Sequence, residues 1–316
     1  MKYGTLDYFS ERLERSGFGL ISGAELSRES LIAAAADASA IVVIAHSVDR
    51  ELLTAMESCE FVMTLSVGYD CVDVSAASAL GIPVSNCPSY CTEDVANHAI
   101  ALLLAVSRKL HLAAPRVKQG DWEYAYSKPL YRYRGRTLGV IGLGRIGRAV
   151  VPIAEGIGMS LAAYDPYVDD DIFDHYNVRR CYELHTLLET ADYVTVHAPL
   201  TGETTHLLDR AAFGRMKPHS VLINTARAAI VDEDALLEAL NSGRIAGAGL
   251  DVHMEEPLPP DNPWVKLENV VLTPHTGALT QEAFDREATI GVDNIVAFLE
   301  GEPTNVVNSE AIARQR

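Results

Sequence analysis

The run TLGVIGLGRIG, residues 137–147, constrains the fold more than any other stretch of this chain. Its first residues read as a buried strand, and the glycines that follow open a helix. Gly142 permits a tight turn out of the strand. Gly144 has no side chain, so a pyrophosphate can approach the backbone, and Gly147 lets the helix pack against the strand. The amides at the helix start, Ile146 among them, then face an anion, and Arg145 adds a cation beside the positive helix end. A second strand, SLAAY, leads to Asp165, roughly 20 residues on, where a carboxylate reads the hydroxyls of a ribose. That carboxylate repels a 2′-phosphate, and Pro166 and Tyr167 after it bring no arginine. The combination predicts a Rossmann unit that binds NAD in preference to NADP.

The chain has 316 residues, which suits two domains better than one. Short apolar runs alternate with helical patterns, the signature of parallel α/β units. In the first hundred residues the strands are expected at 41–45, 61–65 and 82–85, with helices near 28–37, 50–57 and 73–80. A second series is expected at 137–142, 160–164, 192–196, 220–224, 245–251 and 270–272. Between the two series a long helix is predicted from Thr92 to about Lys118. Thr92 reads as its N-cap, with Glu93 and Asp94 favourable at the positive end. Its middle, AIALLLAV, is apolar all round and predicts burial on every side. Pro115 predicts a kink or break, and Gly120 the end. The last helix, about 280–300, is stopped by Gly301 and Pro303 and is long enough to return to the first domain. The fold class is therefore α/β, with two doubly wound parallel-sheet domains and two passages of the chain between them.

The formal net charge is −17, from 26 basic and 43 acidic residues. Such a surface repels phosphate backbones and anionic membranes, so neither nucleic acid nor a membrane is an expected partner. The longest wholly apolar stretch, Ala99–Val106, is too short to span a bilayer, and MKYGTLDYFSERLERSG lacks the apolar core of a signal peptide. The cysteines, Cys59, Cys71, Cys87, Cys91 and Cys181, are odd in number and without metal-type spacing. They predict a reduced, cytoplasmic protein with no bound metal.

Three polar residues follow expected strand ends in the second series: Arg227 in INTARAAIVD, Glu256 in GLDVHMEEP and His275 in VVLTPHTGAL. Taken singly, an arginine after a strand is often a surface ion pair, a glutamate before proline is often solvated, and a lone histidine is often structural. Ligands of open α/β sheets bind at the carboxyl ends of the strands, so all three can converge on one crevice. Together they supply what hydride transfer to a 2-keto acid requires. A guanidinium holds the carboxylate and polarises the carbonyl. An imidazole delivers a proton as the carbonyl is reduced. A carboxylate beside that imidazole favours its protonated form.

The chain resembles the D-isomer-specific 2-hydroxyacid dehydrogenases along nearly its whole length. The resemblance rests on SVGYDCVD (66–73), GIPVSNCPSY (81–90), GLGRIG with Asp165, VHAPLTGETTHLLD (196–209), MKPHSVLINTARAAIVD (216–232), GLDVHMEEP (249–257) and LTPHTG (272–277). It implies a Rossmann NAD domain, residues 98–283, inserted into a flavodoxin-like substrate domain made of residues 1–97 and 284–316. It implies Arg227 as the substrate-orienting arginine and Glu256 as the partner of His275, the general acid/base. The amides of Val67 and Gly68 resemble the loop that holds the substrate carboxylate. Thr225, Ala226, Arg227, Asp251, His275, Thr276 and Gly277 resemble the walls of the nicotinamide pocket, and His197 and Pro199 the loop below adenine and ribose.

One departure is Ala228, where the family usually has glycine. If that backbone needs positive φ, alanine costs about 1 kcal/mol or more and displaces Arg227. The residue before Gly68 is valine, where the related phosphite dehydrogenases carry lysine, so phosphite is disfavoured. The side chain of the substrate is expected to meet Ala45–Ser47, Leu65–Ser66 and Tyr90, which suggest a modest, uncharged group. Phosphoglycerate would want further cations, and Arg50 is the one basic candidate near these residues. Glyoxylate, hydroxypyruvate, pyruvate and larger keto acids stay open at this point. The segment PSYCTEDVANHAIALLL (88–104) leans toward the branch with the C-terminal-binding-protein-like dehydrogenases. An NAD(H)-sensing, corepressor-like protein with little turnover is therefore the alternative to an enzyme. The helix around 99–106 and the aromatic loop WEYAYSKPLYRYRG (122–135) are the expected contact of a homodimer.

Overall fold

The structure is a computed structural model. It describes residues 10–11, 13–15, 17, 19–23, 26–44, 46–125, 128–309 and 313. Ala45 of the expected substrate pocket, and Tyr126 and Ser127 of the aromatic loop, lie outside the described residues, as does most of the N-terminal stretch read for a signal peptide. The chain forms two compact units, one of Met1–Cys91 with Thr280–Arg316 and one of Thr92–Leu279. The passages fall at Cys91/Thr92 and Leu279/Thr280, a few residues ahead of the 97/98 and 283/284 junctions read from the sequence.

In the first unit, β1 (Ala40–Val43), β2 (Phe61–Thr64) and β3 (Val84–Ser85) pair in that order as a parallel sheet. Every residue of β2 is buried, as expected for a strand covered on both faces. The helices Arg28–Ala35, Arg50–Ala55 and Val74–Ala79 start at Ser27, Asp49 and Asp73, whose side chains each accept a backbone N–H of the first turn. These caps satisfy donors that a helix start otherwise leaves open. The helix Gln281–Leu299 lays Phe298 on Phe61, with ring centroids 4.4 Å apart. The tail beyond it is stitched to β3. Val307 N donates to Val84 O at 2.8 Å, and Val84 N donates to Asn308 Oδ1 at 2.7 Å. Asn294, 1% exposed, donates to Asn86 O at 2.9 Å and accepts from Thr304 Oγ1 and Asn305 Nδ2, each at 2.8 Å. A buried amide satisfied in this way fixes its neighbours, because leaving it unpaired costs about 1–3 kcal/mol.

The second unit holds β4 (Thr137–Ile141), β5 (Ser160–Tyr164), β6 (Arg179–Arg180), β7 (Tyr193–Val196), β8 (Val221–Asn224), β9 (Gly247–Leu250) and β10 (Val270–Leu272). They form one parallel sheet in the order β10-β9-β8-β7-β4-β5-β6. The order reverses between β4 and β7, and a ligand crevice is expected outside the carboxyl ends of these strands. β7, β8 and β9 are buried at every residue, which is why they read as unbroken apolar runs. The helix Thr92–Ser107 packs closely on β9. A Cβ at Gly249 would stand 3.0 Å from Leu102 Cβ, and one at Gly247 2.9 Å from Val106 Cγ1.

The long helix departs from expectation in three ways. It breaks at Lys109, which takes a left-handed φ of 51°, and not at Pro115. Pro115 lies inside the following helix, Leu110–Lys118, where its fixed φ suits the helix and its ring removes one hydrogen bond. His111 pins the turn through Ala105 O at 3.2 Å and Glu268 O at 2.9 Å. Thr92 is the first helical residue and not the cap. Burial is not all-round either, since Ala101 is exposed while Leu102, Leu103 and Val106 are buried. The short edge strand β6 was not expected at all. Two arginines carry no apolar signal.

Candidate active site

At the end of β4 the chain turns through GLGRIG, and each glycine meets a separate constraint. Gly142 has φ +89°, and a Cβ there would lie 2.6 Å from Ala198 N in the loop after β7. A Cβ at Gly147 would lie 2.1 Å from Gly142 O, inside any tolerable contact. A Cβ at Gly144 meets nothing within 4 Å. Gly144 is the N-cap of the helix Arg145–Gly156 and brings no side-chain cap. The first amides of that helix are thus left to an outside acceptor, and the space in front of them is open, as a pyrophosphate requires.

Asp165 follows β5. Its Oδ2 accepts Leu143 N at 2.8 Å, and its Oδ1 accepts Tyr167 N at 2.9 Å and Val168 N at 3.2 Å. The carboxylate is therefore tied to the glycine turn by the backbone. A carboxylate has about four acceptor positions, so these three bonds leave one for a ribose hydroxyl. An arginine does approach from elsewhere in the chain. Arg180 of β6 donates to Asp165 O at 3.4 Å, but its other terminal nitrogen pairs with Asp170 at 2.6 Å. Sequence reading missed it because β6 itself was missed. His197, after β7, donates its backbone N–H to Ile141 O at 2.7 Å. Burial holds its imidazole down at about 4, and Nε2 lies 2.9 Å from Thr195 Oγ1. The ring is neutral at physiological pH. Pro199 is exposed, and its carbonyl accepts Thr204 Oγ1 at 2.6 Å.

The loop after β8 carries Thr225, Ala226 and Arg227. Asn224, the last residue of β8 and 1% exposed, braces it: Oδ1 accepts Ala226 N at 3.0 Å, and Nδ2 donates to Arg227 O at 2.9 Å. Asn224 was not singled out in the sequence, although a polar residue closing the apolar run VLIN is a usable signal. Arg227 donates through Nη1 to Ala226 O at 2.8 Å. Ala228 opens the 3-10 turn Ala228–Ile230 and is not among the positive-φ residues. The cost anticipated for alanine at this position does not arise. Among the described residues, Thr225 Oγ1 is buried with no hydrogen-bond partner. A buried hydroxyl left in this way fits a polar ligand group docking against it.

Asp251 closes β9 and organises the loop after β10. Oδ1 accepts Thr273 Oγ1 at 2.6 Å and Thr276 N at 2.8 Å, and Oδ2 accepts Gly277 N at 2.9 Å. His98 Nε2 stands 3.2 Å from Oδ1 and 3.1 Å from Thr273 Oγ1. Burial alone would raise this carboxyl. The hydrogen bonds from His98, Thr273, Thr276 and Gly277 outweigh it and hold Asp251 below the ordinary carboxylate range, so it stays ionised. His275 sits within the segment that Asp251 fixes. It has φ +53°, and its Nδ1 is 2.8 Å from Glu256 Oε2. Glu256 Oε1 accepts His253 N at 2.9 Å, which keeps the carboxylate oriented. An imidazole held at Nδ1 presents Nε2 outward, the arrangement of an acid/base group with an orienting carboxylate. The His275 side chain is about half exposed, at 48%.

The second unit thus carries Arg227, Asp251, Glu256 and His275 on loops at the carboxyl ends of its strands, along with the glycine turn and Asp165. Val67 and Gly68 belong to the first unit. There Val67 O accepts Asn86 Nδ2 at 2.7 Å and Gly68 O accepts Ser66 Oγ at 2.5 Å. A cavity of about 470 Å3 in the first unit is lined by Leu26, Ile41, Leu52 and Phe298 and also by Ser47 and Leu65, which were expected to face the substrate side chain, and bears none of the predicted catalytic residues. The open space at Gly144, the braced Asp165 and the orphaned Thr225 hydroxyl all fit a dinucleotide.

Comparison with known proteins agrees. Residues 100–277 match the family model described as D-isomer specific 2-hydroxyacid dehydrogenase, NAD binding domain. A glyoxylate reductase of Korarchaeum cryptofilum is 41% identical, over 90% of this chain and 87% of that protein. A D-3-phosphoglycerate dehydrogenase of Methanocaldococcus jannaschii is 39% identical, over 92% of this chain and 56% of that longer protein. Among solved structures, a D-lactate dehydrogenase from Aquifex aeolicus complexed with NAD and lactic acid superposes with a TM-score of 0.86 at 28% identity, covering 98% of this chain and 97% of that one. The chain belongs to the D-isomer-specific 2-hydroxyacid dehydrogenase family, and its second unit carries that family's NAD-binding domain.

Proposed function

We propose that the protein is an NAD-dependent dehydrogenase that moves a hydride between NAD(H) and a small 2-keto or D-2-hydroxy acid. The observation that carries this reading is the His275–Glu256 pair at 2.8 Å, in the same unit as a glycine turn and a ribose-reading Asp165. Bound NADH supplies the hydride. Arg227 holds the keto-acid carboxylate and polarises its carbonyl, with the Val67 and Gly68 amides as further donors to that carboxylate. His275 gives its proton to the carbonyl oxygen as the oxygen gains charge, and Glu256 orients the ring through Nδ1. In the reverse direction the same ring removes the hydroxyl proton. Thr225, Ala226, Asp251, Thr276 and Gly277 form the walls against the nicotinamide, and His197 and Pro199 those below adenine and ribose.

Arg227→Ala is expected to raise KM for the keto acid and to lower kcat/KM by about 10²–10³-fold, since a charge-assisted donor to the reacting carbonyl is lost. Unchanged kcat and KM would remove Arg227 from the site. Asp165→Ala is expected to erode the preference for NADH over NADPH by about tenfold or more, because the ribose acceptor and the charge that repels a 2′-phosphate go together. Parallel kcat/KM series with the two cofactors test this, and an unchanged ratio would refute the ribose contact.

A sensor that binds NADH without turnover is not favoured, because the relatives carry the names of reductases and dehydrogenases. NADH oxidation with glyoxylate and hydroxypyruvate decides between the two. The same reading takes the protein to be a cytoplasmic homodimer. The exposure of Trp122 (82%) and Tyr124 (67%) in the aromatic loop supports a buried contact there, since such side chains are enriched at interfaces. No helix among the described residues is long and apolar enough to cross a membrane.

A further inference from the structure

The motif GLDVHMEEP holds a second histidine that the reaction above does not use. The backbone N–H of His253 donates to Glu256 Oε1 at 2.9 Å, and its ring Nε2 lies 3.0 Å from Thr273 O. A carbonyl oxygen only accepts, so Nε2 carries the hydrogen in this contact. Thr273 O also accepts His275 N at 3.1 Å. That bond closes a tight turn around Pro274, whose ring fixes its own φ. Glu256 Oε2, 2.8 Å from His275 Nδ1, completes the circuit. The hydrogen bonds thus form a closed ring. It runs from Thr273 O through the His253 side chain and backbone to Glu256, then through the His275 side chain and backbone to Thr273 O again.

We infer that His253 is a positioning residue, which braces the loop bearing Glu256 against the loop bearing His275 and so sets the aim of His275 Nε2. The inference rests on the dehydrogenase reading above and adds a residue that acts only through the acid/base pair. The sequence reading assigned Glu256 a role in this motif and His253 none.

The pair needs such a brace. The side chains of His275 and Glu256 are 48% and 38% exposed, and a contact so open to water holds its own geometry weakly. His275 also stands at φ +53°, a backbone region that residues other than glycine populate sparsely. Thr273 is the fixed post on which both depend. Its N–H donates to Leu250 O at 3.0 Å, and its hydroxyl donates to Asp251 Oδ1 at 2.6 Å, so it is anchored to the end of β9. The Nε2–H of His253 carries that anchorage across to Glu256, because the backbone N–H of the same residue holds Oε1. Proton transfer depends steeply on distance and angle. A small drift of the ring therefore slows the chemical step and leaves the dinucleotide contacts intact.

The test is steady-state reduction of glyoxylate and hydroxypyruvate by NADH with the full chain. His253→Phe keeps a ring of similar size and the backbone N–H to Glu256, but it removes the donor to Thr273 O. It is expected to lower kcat by about tenfold, with KM for the keto acid and the NADH dissociation constant within about twofold of the wild type. His253→Gln places an amide N–H near the position of Nε2 and is expected to recover most of that loss. His253→Asn, too short to reach Thr273 O, takes the place of His253→Phe if the latter does not fold. The decisive comparison uses the His275→Asn background. With the acid/base ring gone, His253→Phe is expected to cost no further activity, whereas a merely structural effect would cost the same in both backgrounds. Four outcomes overturn the inference and leave the dehydrogenase reading in place: a wild-type kcat in His253→Phe, an equal loss in His253→Gln, a loss carried by KM or NADH affinity, or a full further loss on top of His275→Asn. If the wild type reduces no keto acid, the dehydrogenase reading falls and takes the inference with it.

Discussion

His275→Gln is expected to lower kcat for keto-acid reduction by about 10²–10⁴-fold while NADH binding is retained. Glutamine keeps a polar group that can reach Glu256, but its amide neither gives nor takes a proton near neutrality. Nothing in the glycine turn or around Asp165 depends on the ring, so the dinucleotide contacts persist. The backbone needs a separate control. His275 has φ +53°, a region in which histidine and asparagine are enriched and most other residues are strained. His275→Asn keeps that backbone at lower strain and also removes the proton donor. Both variants should lose the chemical step and keep NADH fluorescence titration. If kcat stayed near the wild-type value in either, His275 would not be the acid/base group.

Gly147→Ala is expected to destabilise the second unit by about 2–3 kcal/mol and to weaken NADH binding by about tenfold or more. The added methyl would stand 2.1 Å from Gly142 O and 3.2 Å from Gly142 C. Both are backbone atoms with no rotamer to escape into, so either the turn or the helix Arg145–Gly156 must move. Gly144→Ala is the informative contrast. Its φ of −71° suits alanine, and its methyl meets no protein atom within 4 Å. Stability should change by no more than about 0.5 kcal/mol, yet NADH should bind more weakly, because the methyl enters the space left for the pyrophosphate. Thermal melts and NADH titrations of the two variants separate packing from ligand contact. A Gly147→Ala protein that melts and binds like the wild type would refute the close approach.

The central strands were legible because β7, β8 and β9 are covered on both faces and so are apolar at nearly every position. The candidate loops were legible because Arg227, Glu256 and His275 are charged or titratable groups that follow the ends of β8, β9 and β10. What escaped the sequence depends on tertiary partners. β6 consists of Arg179 and Arg180, and it is a strand because it pairs with Ala162 and Ala163 of β5, which no local pattern announces. The break at Lys109 is set by a left-handed residue and by the anchoring of His111 to Glu268 O. Pro115, the obvious breaker, is accommodated. The Asn224 brace and the His98–Asp251 contact join residues distant from, or unremarkable within, their motifs. In each case the missing information was which buried polar atom a side chain satisfies.

The first unit is made from both ends of the chain, and its tail is stitched to β3 through Val307, Asn308 and the Asn294 amide. During synthesis the segment Thr92–Leu279 emerges as one uninterrupted piece and can complete its sheet while the ribosome is still working. The N-terminal strands emerge first, yet they must wait for the last residues to leave the exit tunnel before β3 receives its closing partners. Domains ordinarily fold in the order in which they are made, and here that order is inverted: the nucleotide-binding half is finished before the half that begins the chain. A ribosome stalled with Leu279 just outside the exit tunnel and Thr280 onward still inside it should therefore carry a nascent chain that already retains NADH while its first ninety or so residues remain open to protease.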